Sequence, residues 1–418
     1  MIDLDVFLNG TLTGQLHSDD NDRFSFRYSP EYIQQKGVAL SCSLPLRAEE
    51  FSYREARPFF AGVLPEETSR DIVADRLNVS RNNDIKLANA IGGDCAGAVS
   101  LLPAGQIPLP EGQKVVWLSP EEFASVLRNL SERSLLAPGD HVRLSLAGAM
   151  CKLTVCHDGE RFGIPDENTP STHIIKPGRA DLPDLVYNEC FCARLAEKAG
   201  LAVAKTSVLE HEAGSFLLVE RYDRRDGHRI HQEDFCQALG YVPTDKYQSN
   251  GGPGLKECYA LLRSHVTSPA GAINMLTRAV IFNILIGNND AHAKNFSLLR
   301  HANGTITLAP LYDLVSTEIY DRFRNGDMAM KFGGTYDFKW VNREHVEKMA
   351  KDIGVSPAGL RKMLLTMASE VAMRAEELAG ELNYPVGYAI AKLVRERASL
   401  LLARFQTKVL LAKPALSR

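Results

Sequence analysis

The residues best suited to chemistry lie in two short segments of the chain. In the first, Asp290 and Asn295 are separated by four residues and follow an apolar stretch; in the second, Tyr312-Asp313-Leu314 supplies another Asp. Kinases place an Asp and an Asn at this spacing in their catalytic loop, and a second Asp downstream binds magnesium. Asp290 taken alone is more typical of a helix cap or a turn than of a catalytic residue, since Asn288-Asn289-Asp290 is favourable turn chemistry. The two linked matches together indicate phosphoryl transfer from ATP.

A lysine and a glutamate upstream are the next groups that such a reaction needs. Lys176 ends a short apolar strand, and Glu189 lies in the first turns of the helical pattern that follows. In kinases a lysine of this kind holds the phosphates of ATP and pairs with a helical glutamate. The alternatives are a solvated lysine at a strand end and a glutamate that favours the helix dipole. The sequence leaves an ion pair between the two residues open.

Two further segments have the composition of a nucleotide pocket. Ser145-Leu146-Ala147-Gly148-Ala149 joins two predicted strands through small residues, although it lacks the full G-x-G-x-x-G pattern. Its backbone N–H groups are therefore able to approach phosphate oxygens. The strand Leu217-Leu218-Val219-Glu220-Arg221-Tyr222 changes abruptly from apolar to charged, as suits a hinge whose main chain meets an adenine edge. Ser145 is also compatible with an ordinary strand serine facing solvent.

The order of the predicted elements indicates a fold in which these segments lie close together. From His141 the pattern is strand, loop, strand, lysine strand, helix and strand, and from Gln232 helices dominate, apart from a hairpin between Phe296 and Leu308. Helices alone are predicted from Arg343 to about Thr407. We therefore predict the α+β class, with a bilobal protein-kinase-like fold, a β-rich N-terminal region and an all-helical C-terminal lobe.

A separate unit precedes the kinase-like part. An alternating hairpin with a turn at Asn9-Gly10 opens a small α+β region, and the stretch from Ala104 to Lys114, rich in Pro, Gly and Gln, is the best boundary after it. The predicted units are residues 1–105, a small N-terminal α+β domain; residues 115–222, the kinase N-lobe with the loop and Lys176; and residues 223–418, the C-terminal lobe with the catalytic and magnesium residues.

The composition is that of an ordinary globular protein, with 45% hydrophobic and 24% charged residues, which excludes a disordered chain. A net charge of −3 provides no overall field for nucleic acid. The apolar stretch Ala279–Gly287 is far shorter than the ~20 residues that span a bilayer. The acidic start is unlike a secretory signal, and the eight cysteines are scattered without zinc spacing. We therefore expect a cytoplasmic protein that spans no membrane and keeps its thiols reduced.

The motifs as a set resemble those of the HipA family of serine/threonine kinase toxins of type II toxin-antitoxin systems. The N-terminal hairpin unit is similar to the small domain fused to these kinases. The matching segments are Ser145 to Lys152, Thr172 to Lys176, Asn188-Glu189, Val219 to Arg225, Gly251-Gly252-Pro253-Gly254, Asp290 to Asn295 and Tyr312-Asp313.

This resemblance implies ATP and Mg²⁺ as cofactors, Asp290 as the catalytic residue, and Asn295 and Asp313 as the metal ligands. It implies contacts with ATP for Leu146, Ala147, Gly148, Ala149, Met150, Cys151, Lys176, the main chain of Glu220 and Tyr222, Gln232, His292 and Tyr312. Two departures from the family pattern delete no catalytic group: Met150-Cys151 replaces a frequent Gln-Glu pair, and Ala291 replaces a frequent glycine.

The resemblance also implies how the kinase acts and is controlled. Ser145 is the implied autophosphorylation site, and its phosphate would expel the loop from the nucleotide pocket and silence the enzyme. The implied substrate is a serine of a cytosolic protein, in the family an aminoacyl-tRNA synthetase, whose modification halts translation and promotes growth arrest and persistence. The implied partner is a HipB-like helix-turn-helix antitoxin, which would mediate any contact with DNA.

Two other functions stay open at this point. A small-molecule kinase of the same superfamily would carry the same Asp290, Asn295 and Asp313, because the phosphoryl chemistry is shared. A kinase-like corepressor that only binds a DNA-binding antitoxin would need no catalysis. Basic residues near the C-terminus are predicted to lie on a solvated helix face, and only secondarily to contact DNA: Arg395, Arg397, Arg404, Lys408 and Lys413.

Overall fold

The structure is a computed structural model, and it describes residues 1–93, 95–108, 114–131, 152–166 and 169–406. The predicted phosphate loop, including Ser145, Leu146, Ala147, Gly148, Ala149, Met150 and Cys151, lies outside these ranges, as do Lys408 and Lys413.

The N-terminal unit is an antiparallel four-stranded sheet covered by short helices, with strand order β3-β2-β1-β4. The predicted hairpin turn forms at Asn9 and Gly10, whose φ angles of 49° and 74° are those of the tight turn that Asn-Gly favours. The strand that closes the sheet, β4, follows the helices and was not predicted. The elements are β1 Asp3–Leu8, β2 Thr11–Ser18, β3 Phe24–Tyr28, α1 Pro30–Gln34, α2 Tyr53–Gly62, α3 Glu67–Leu77, α4 Asp84–Ile91 and β4 Val99–Pro103.

The N-lobe is an antiparallel six-stranded sheet in the order β5-β7-β6-β8-β10-β9, and among the described residues two helices, α5 and α6, connect its strands. The lysine strand β8 lies inside the sheet, where Lys176 pairs with Leu217 of β10. On its other side β8 pairs with β6 as far as Ile175, so the strand that carries the site lysine is held between two neighbours. The elements are β5 Val115–Trp117, α5 Pro120–Ser131, β6 Leu153–His157, β7 Phe162–Pro165, β8 His173–Pro177, α6 Leu185–Lys198, β9 Thr206–His211 and β10 Gly214–Glu220.

The C-terminal lobe is helical around one small sheet. The predicted hairpin forms β14 and β15, with Gly304 in the left-handed region at its turn, and the chain is helical from Arg343 as predicted. A third strand, β13, extends this sheet, and a two-stranded ribbon precedes it. The elements are β11 Arg224–Arg225, β12 His228–Arg229, β13 His231–Asp234, α7 Phe235–Leu239, α8 Leu255–His265, α9 Pro269–Ile286, β14 Ser297–Arg300, β15 Ile306–Leu308, α10 Arg343–Asp352, α11 Pro357–Leu382 and α12 Pro385–Gln406.

Helix α9 is the central helix of this lobe and leads directly into the candidate catalytic segment. It begins with Pro269 at its first turn and ends at Gly287, whose φ of 67° closes the helix in the left-handed conformation. With 18 residues, α9 is long and apolar enough to cross a membrane by length and composition alone, but 61% of it is buried inside the fold. A helix buried to this extent is a core helix. Residues 288–295 follow its end directly, so the position of α9 in the core determines where this segment begins.

The N-terminal unit packs against the kinase-like part and forms hydrogen bonds with it. One hydrophobic core joins Phe26 and Leu101 of the small unit with Val155 and Phe216 of the N-lobe. The backbone N–H of Gly97 donates to Asp223 Oδ2 at 2.8 Å, and Gln237 Nε2 donates to the carbonyl of Phe59 at 3.0 Å. Residues of the small unit can therefore take part in a site formed by the lobes. The division into three units stays a prediction.

Candidate active site

A cleft of about 630 Å³ lies between the two lobes, which is the size of a small-molecule pocket. All predicted site residues that the structure describes line this cleft, although Lys176 and Asp313 are 137 positions apart. These residues are Lys176, Glu189, Glu220, Tyr222, Gln232, Asp290, His292, Asn295, Tyr312 and Asp313.

Lys176 is a buried cation in the lining of the cleft. Its Nζ donates to Glu189 Oε1 at 2.7 Å and also to Asp313 Oδ1. Burial acts to lower the pKa of Lys176, but the two carboxylates outweigh it and hold the pKa above its ordinary value. The lysine is thus kept charged in a buried position, ready to meet further anionic groups.

Asp313 is a carboxylate held in its ionised form at the same point. Burial acts to raise its pKa, but the charges of Lys176 and Lys152 outweigh this and lower the pKa to about 2. Its backbone has a φ of 52°, an uncommon left-handed conformation for a residue with a side chain. Such conformations persist where the surrounding structure enforces them, often at functional sites.

The segment after α9 is a tight loop that presents Asp290 and Asn295 together. The side chain of Asn288 accepts from the backbone N–H of Asp290 at 3.1 Å, and the N–H of His292 donates to the Asp290 carbonyl at 2.8 Å. Asn295 Nδ2 donates to the same carbonyl at 2.9 Å. The turn chemistry that made Asp290 ambiguous in the sequence is therefore real, and it serves to place the Asp290 carboxylate at the cleft.

The carboxylate of Asp290 is accessible to a substrate, with its side chain 54% exposed. The hydroxyl of Tyr247 donates to Oδ1, and His292 Nε2 lies 3.9 Å from the same oxygen. Removal of water by the cleft walls raises the pKa of Asp290, and the Tyr247 hydrogen bond and the charge of Lys246 act against this. A carboxyl with a raised pKa is a better proton acceptor than an ordinary Asp.

His292 is a neutral imidazole in the cleft wall. Its side chain is buried, and burial together with the charges of Lys246 and Lys294 lowers its pKa to about 3. Its Nδ1 is a buried polar atom with no hydrogen-bond partner among the described residues. Such atoms normally have a partner, so a ligand or a water molecule in the cleft would satisfy it.

Two tyrosines form an aromatic surface where the N-lobe sheet meets the C-terminal lobe. The rings of Tyr222 and Tyr312 stack with centroids 5.8 Å apart. The Tyr222 hydroxyl donates to Gln232 Oε1 at 2.6 Å, and the Tyr312 hydroxyl donates to the Lys294 carbonyl at 2.7 Å. The N–H of Glu220 donates to the carbonyl of Lys205, so any adenine contact of Glu220 would use its own carbonyl.

The donor set fits one metal ion held jointly with phosphates. Asp313 contributes carboxylate oxygens, and Asn295 keeps its amide oxygen while its nitrogen donates to Asp290. Within the described ranges, no cluster of three or more His, Cys, Asp and Glu side chains is arranged to bind a metal. Mg²⁺ is typically bound by only one or two protein carboxylates together with substrate phosphates and waters. The residues therefore fit Mg²⁺ brought in with a nucleotide.

Sequence reasoning missed a group of charged residues beside Asp290. Lys294 Nζ lies 2.5 Å from Asp234 Oδ2 and 3.3 Å from Glu66 Oε1, while Lys246 Nζ lies 2.8 Å from Glu67 Oε1. Glu66 and Glu67 belong to the N-terminal unit. No local pattern links residues so distant in the chain. The signal that could have drawn attention to Lys246 and Tyr247 was the glycine-rich segment Gly251-Gly252-Pro253-Gly254, which lies shortly after them. The sequence indicated no role for this segment.

Two family models match the chain, and they cover most of it. The HipA-like C-terminal domain matches residues 144–375, and the HipA N-terminal domain matches residues 4–102. The serine/threonine-protein kinase toxin HipA of Shewanella oneidensis is 30% identical to this chain, over 96% of this chain and 94% of its own length. The protein Y4mE of Sinorhizobium fredii is 42% identical, over 88% of this chain and 90% of its own.

A solved structure of the same architecture exists. It is the complex of HipA, HipB and operator DNA from Shewanella oneidensis, which superposes with a TM-score of 0.80 and 29% sequence identity over 96% of each chain. This match confirms the predicted α+β, bilobal kinase-like fold. The small sheet of β13, β14 and β15 qualifies the description of the C-terminal lobe as all-helical.

Proposed function

The chain belongs to the HipA family of serine/threonine-protein kinases, and from this premise we propose that it transfers the γ-phosphoryl group of ATP to a serine of a cytosolic protein. The single observation that carries this proposal is the convergence of Lys176, Asp290 and Asp313 in one cleft of nucleotide size. This group has the lysine, the candidate base and the metal ligand of a phosphoryl-transfer enzyme.

In the proposed reaction each group has one task. Lys176 would hold the α- and β-phosphates, and Asn295 and Asp313 would hold Mg²⁺, which would supply positive charge to neutralise the phosphate oxygens. Asp290 accepts the proton of the acceptor hydroxyl while the acceptor oxygen bonds to the γ-phosphorus. The bond between the γ-phosphorus and the bridging oxygen breaks, and ADP leaves with both electrons of that bond.

The remaining predicted residues would hold the nucleotide. Tyr222 and Tyr312 offer an aromatic surface to adenine, and the main chain of Glu220 and Tyr222 would meet its edge. Gln232 supports Tyr222 by accepting its hydroxyl hydrogen bond, and His292 supplies an unpaired buried nitrogen to the cleft wall. The loop of Leu146, Ala147, Gly148, Ala149, Met150 and Cys151 would cover the phosphates.

The proposed cellular role is that of a cytoplasmic toxin held by a HipB-like antitoxin. The support is the similarity over nearly the whole chain to the Shewanella HipA that was solved with HipB and operator DNA. By this analogy DNA is contacted through the antitoxin. The proposed target is a serine of a protein of the aminoacyl-tRNA synthetase class, whose phosphorylation would stop translation and arrest growth.

Ser145 is the proposed autophosphorylation site, and its replacement by alanine should abolish self-labelling without removing transfer to other proteins. A phosphate at this position would carry up to two negative charges into a loop that is meant to cover the phosphates of ATP. Repulsion would drive the loop out of the pocket. The measurement is incubation with Mg²⁺ and γ-labelled ATP, alone and with cell extract, followed by gel separation and mass spectrometry.

The matched control is Ser207→Ala, which removes an exposed serine hydroxyl from strand β9. We expect self-labelling in the wild type and in this control, none in Ser145→Ala, and a labelled protein in the extract with all three. Label that accumulates on a metabolite instead would identify a small-molecule kinase. Absence of any label transfer would leave only the non-catalytic corepressor and would overturn the proposal.

A further inference from the structure

Tyr247 is the tyrosine whose hydroxyl donates to Oδ1 of Asp290, and none of the roles above uses it. We propose that Tyr247 is a positioning residue, which orients the Asp290 carboxylate toward the acceptor hydroxyl and is itself held in place by the N-terminal unit through Lys246. This inference rests on the proposed function, because it takes Asp290 as the group that accepts the proton.

The hydrogen bond from Tyr247 leaves the Asp290 carboxylate able to accept a proton. A carboxylate has two oxygens and about four lone-pair sites, and a tyrosine hydroxyl uses one of them. The other oxygen stays available for the acceptor hydroxyl. Because the Asp290 side chain is half exposed, the surrounding packing alone does not fix its torsion angles. A donor on one oxygen selects one orientation before the substrate arrives, which is the preorganisation that proton transfer requires.

The loop that carries Tyr247 has a closely defined backbone. The Tyr247 carbonyl accepts from the N–H groups of Asn250 and Gly252, both at 3.0 Å. A side chain at Gly252 would bring its Cβ within 1.9 Å of the Asp245 carbonyl oxygen, so only glycine fits there. The N–H of Gln248 donates to the carbonyl of Ala329 at 3.2 Å. The tyrosine is therefore presented by a fixed turn rather than by a lid.

The ring of Tyr247 has a defined neighbour as well. It meets the imidazole of His292 edge to face, with centroids 5.1 Å apart and planes at 87°. This contact fixes the ring on the side of the catalytic segment. The ring and the hydroxyl thus have separable contributions, since a phenylalanine at this position would keep the ring contact and lose only the hydrogen bond.

The N-terminal unit supports this arrangement through the preceding residue. Lys246 is buried, with Nζ 2.8 Å from Glu67 Oε1 and 3.6 Å from Glu66 Oε2. Glu66 also lies 3.3 Å from Nζ of Lys294, within the catalytic segment itself. Glu66 and Glu67 therefore pair with the lysine that precedes Tyr247, and Glu66 also pairs with the lysine four residues after Asp290. Lys246 and Glu66 are both buried, and loss of a partner from a buried charge is costly, so this pair resists displacement of the loop.

The test compares Tyr247→Phe and Glu67→Gln with the wild type in self-labelling by Mg²⁺ and γ-labelled ATP, with Tyr388→Phe as the control. Tyr388 is half exposed on α12, remote in the chain from these segments. The readouts are the maximal rate and the ATP concentration that gives half of it. We expect the maximal rate of Tyr247→Phe to fall about tenfold and that of Glu67→Gln about threefold, with half-saturation unchanged within about twofold.

If Tyr247 only supported the fold, its replacement would change the maximal rate and the half-saturating ATP concentration together, because nucleotide binding would change with the fold. A rate equal to that of the wild type overturns the inference. A faster rate overturns it too, since it would show that the hydroxyl obstructs the acceptor. Asp290→Ala separates the two claims: if labelling survives in this variant, the proposed function fails. If labelling depends on Asp290 but not on Tyr247, the inference alone fails.

Discussion

Replacement of Asp290 by alanine is expected to lower the rate of phosphoryl transfer by about 10²–10⁴-fold, the usual contribution of a positioned general base. The reason is geometric. The loop after α9 holds this carboxylate at the cleft, where it is 54% exposed and accepts from Tyr247, whereas Lys176 donates to Glu189 and Asp313. Nucleotide affinity should therefore change little. Both quantities can be measured, transfer with labelled ATP and affinity by calorimetric titration with an ATP analogue and Mg²⁺.

The control for this variant is Asp352→Ala, which removes an exposed carboxylate at the end of α10. It should retain the rate of the wild type. Near-normal transfer by Asp290→Ala would contradict the assigned role, and so would a loss of nucleotide affinity as large as the loss of rate. The second result would assign Asp290 to binding rather than to proton transfer.

Replacement of Asp313 by asparagine is the second change with a large expected effect. Asparagine keeps the shape of the side chain but removes the charge that would face Mg²⁺. We expect transfer to fall by at least about 10²-fold, since a metal ion contributes several kcal/mol to such reactions. Lys176 keeps Glu189 at 2.7 Å, so the lysine remains paired and the fold should be retained. The measurement is the transfer rate as a function of Mg²⁺ concentration.

For Asp313→Asn, the expected curve is shifted to higher Mg²⁺ and reaches a lower plateau, while Asp352→Asn should reproduce the curve of the wild type. Chelation of the metal should abolish transfer in every variant. Unchanged Mg²⁺ dependence in Asp313→Asn would place the metal elsewhere. A melting temperature well below that of the wild type would instead assign Asp313 to the stability of the cleft.

The groups nearest to the chemistry could be predicted because they lie in short segments with fixed spacing. Asp290 and Asn295 share one loop, and the structure places both at the cleft. The pairing of Lys176 with Glu189, left open by the sequence, exists at 2.7 Å. A strand end and the first turns of the following helix are close in the chain, so a local pattern was enough to suggest the pair.

Other features depend on long-range packing and could not be predicted. Strand β13 is four residues long and contains His, Gln, Glu and Asp, so no apolar alternation marks it. Arg397 was predicted to be solvated, and this was wrong. It is buried, donates to the Ile284 carbonyl and pairs with Glu318, because α12 packs against α9. A basic residue in an amphipathic pattern does not reveal which helix it will face.

The contribution of the N-terminal unit to the cleft is the largest such feature. Glu66 and Glu67 are adjacent in the sequence and carry no kinase motif, yet they lie against lysines about 180 and 230 positions further along the chain. Only the packing of the small unit on the lobes brings them there. The fused N-terminal domain, to which the sequence assigned no site residue, thus forms part of the cleft wall beside Asp290.

The most direct test of the proposed active site is a crystal structure with a non-hydrolysable ATP analogue and Mg²⁺. We expect a single triphosphate in the cleft, with Lys176 at its α- and β-phosphates, the metal bound by Asn295 and Asp313, and Asp290 near the γ-phosphate. A nucleotide bound outside this cleft, or a metal without contact to Asp313, would contradict it.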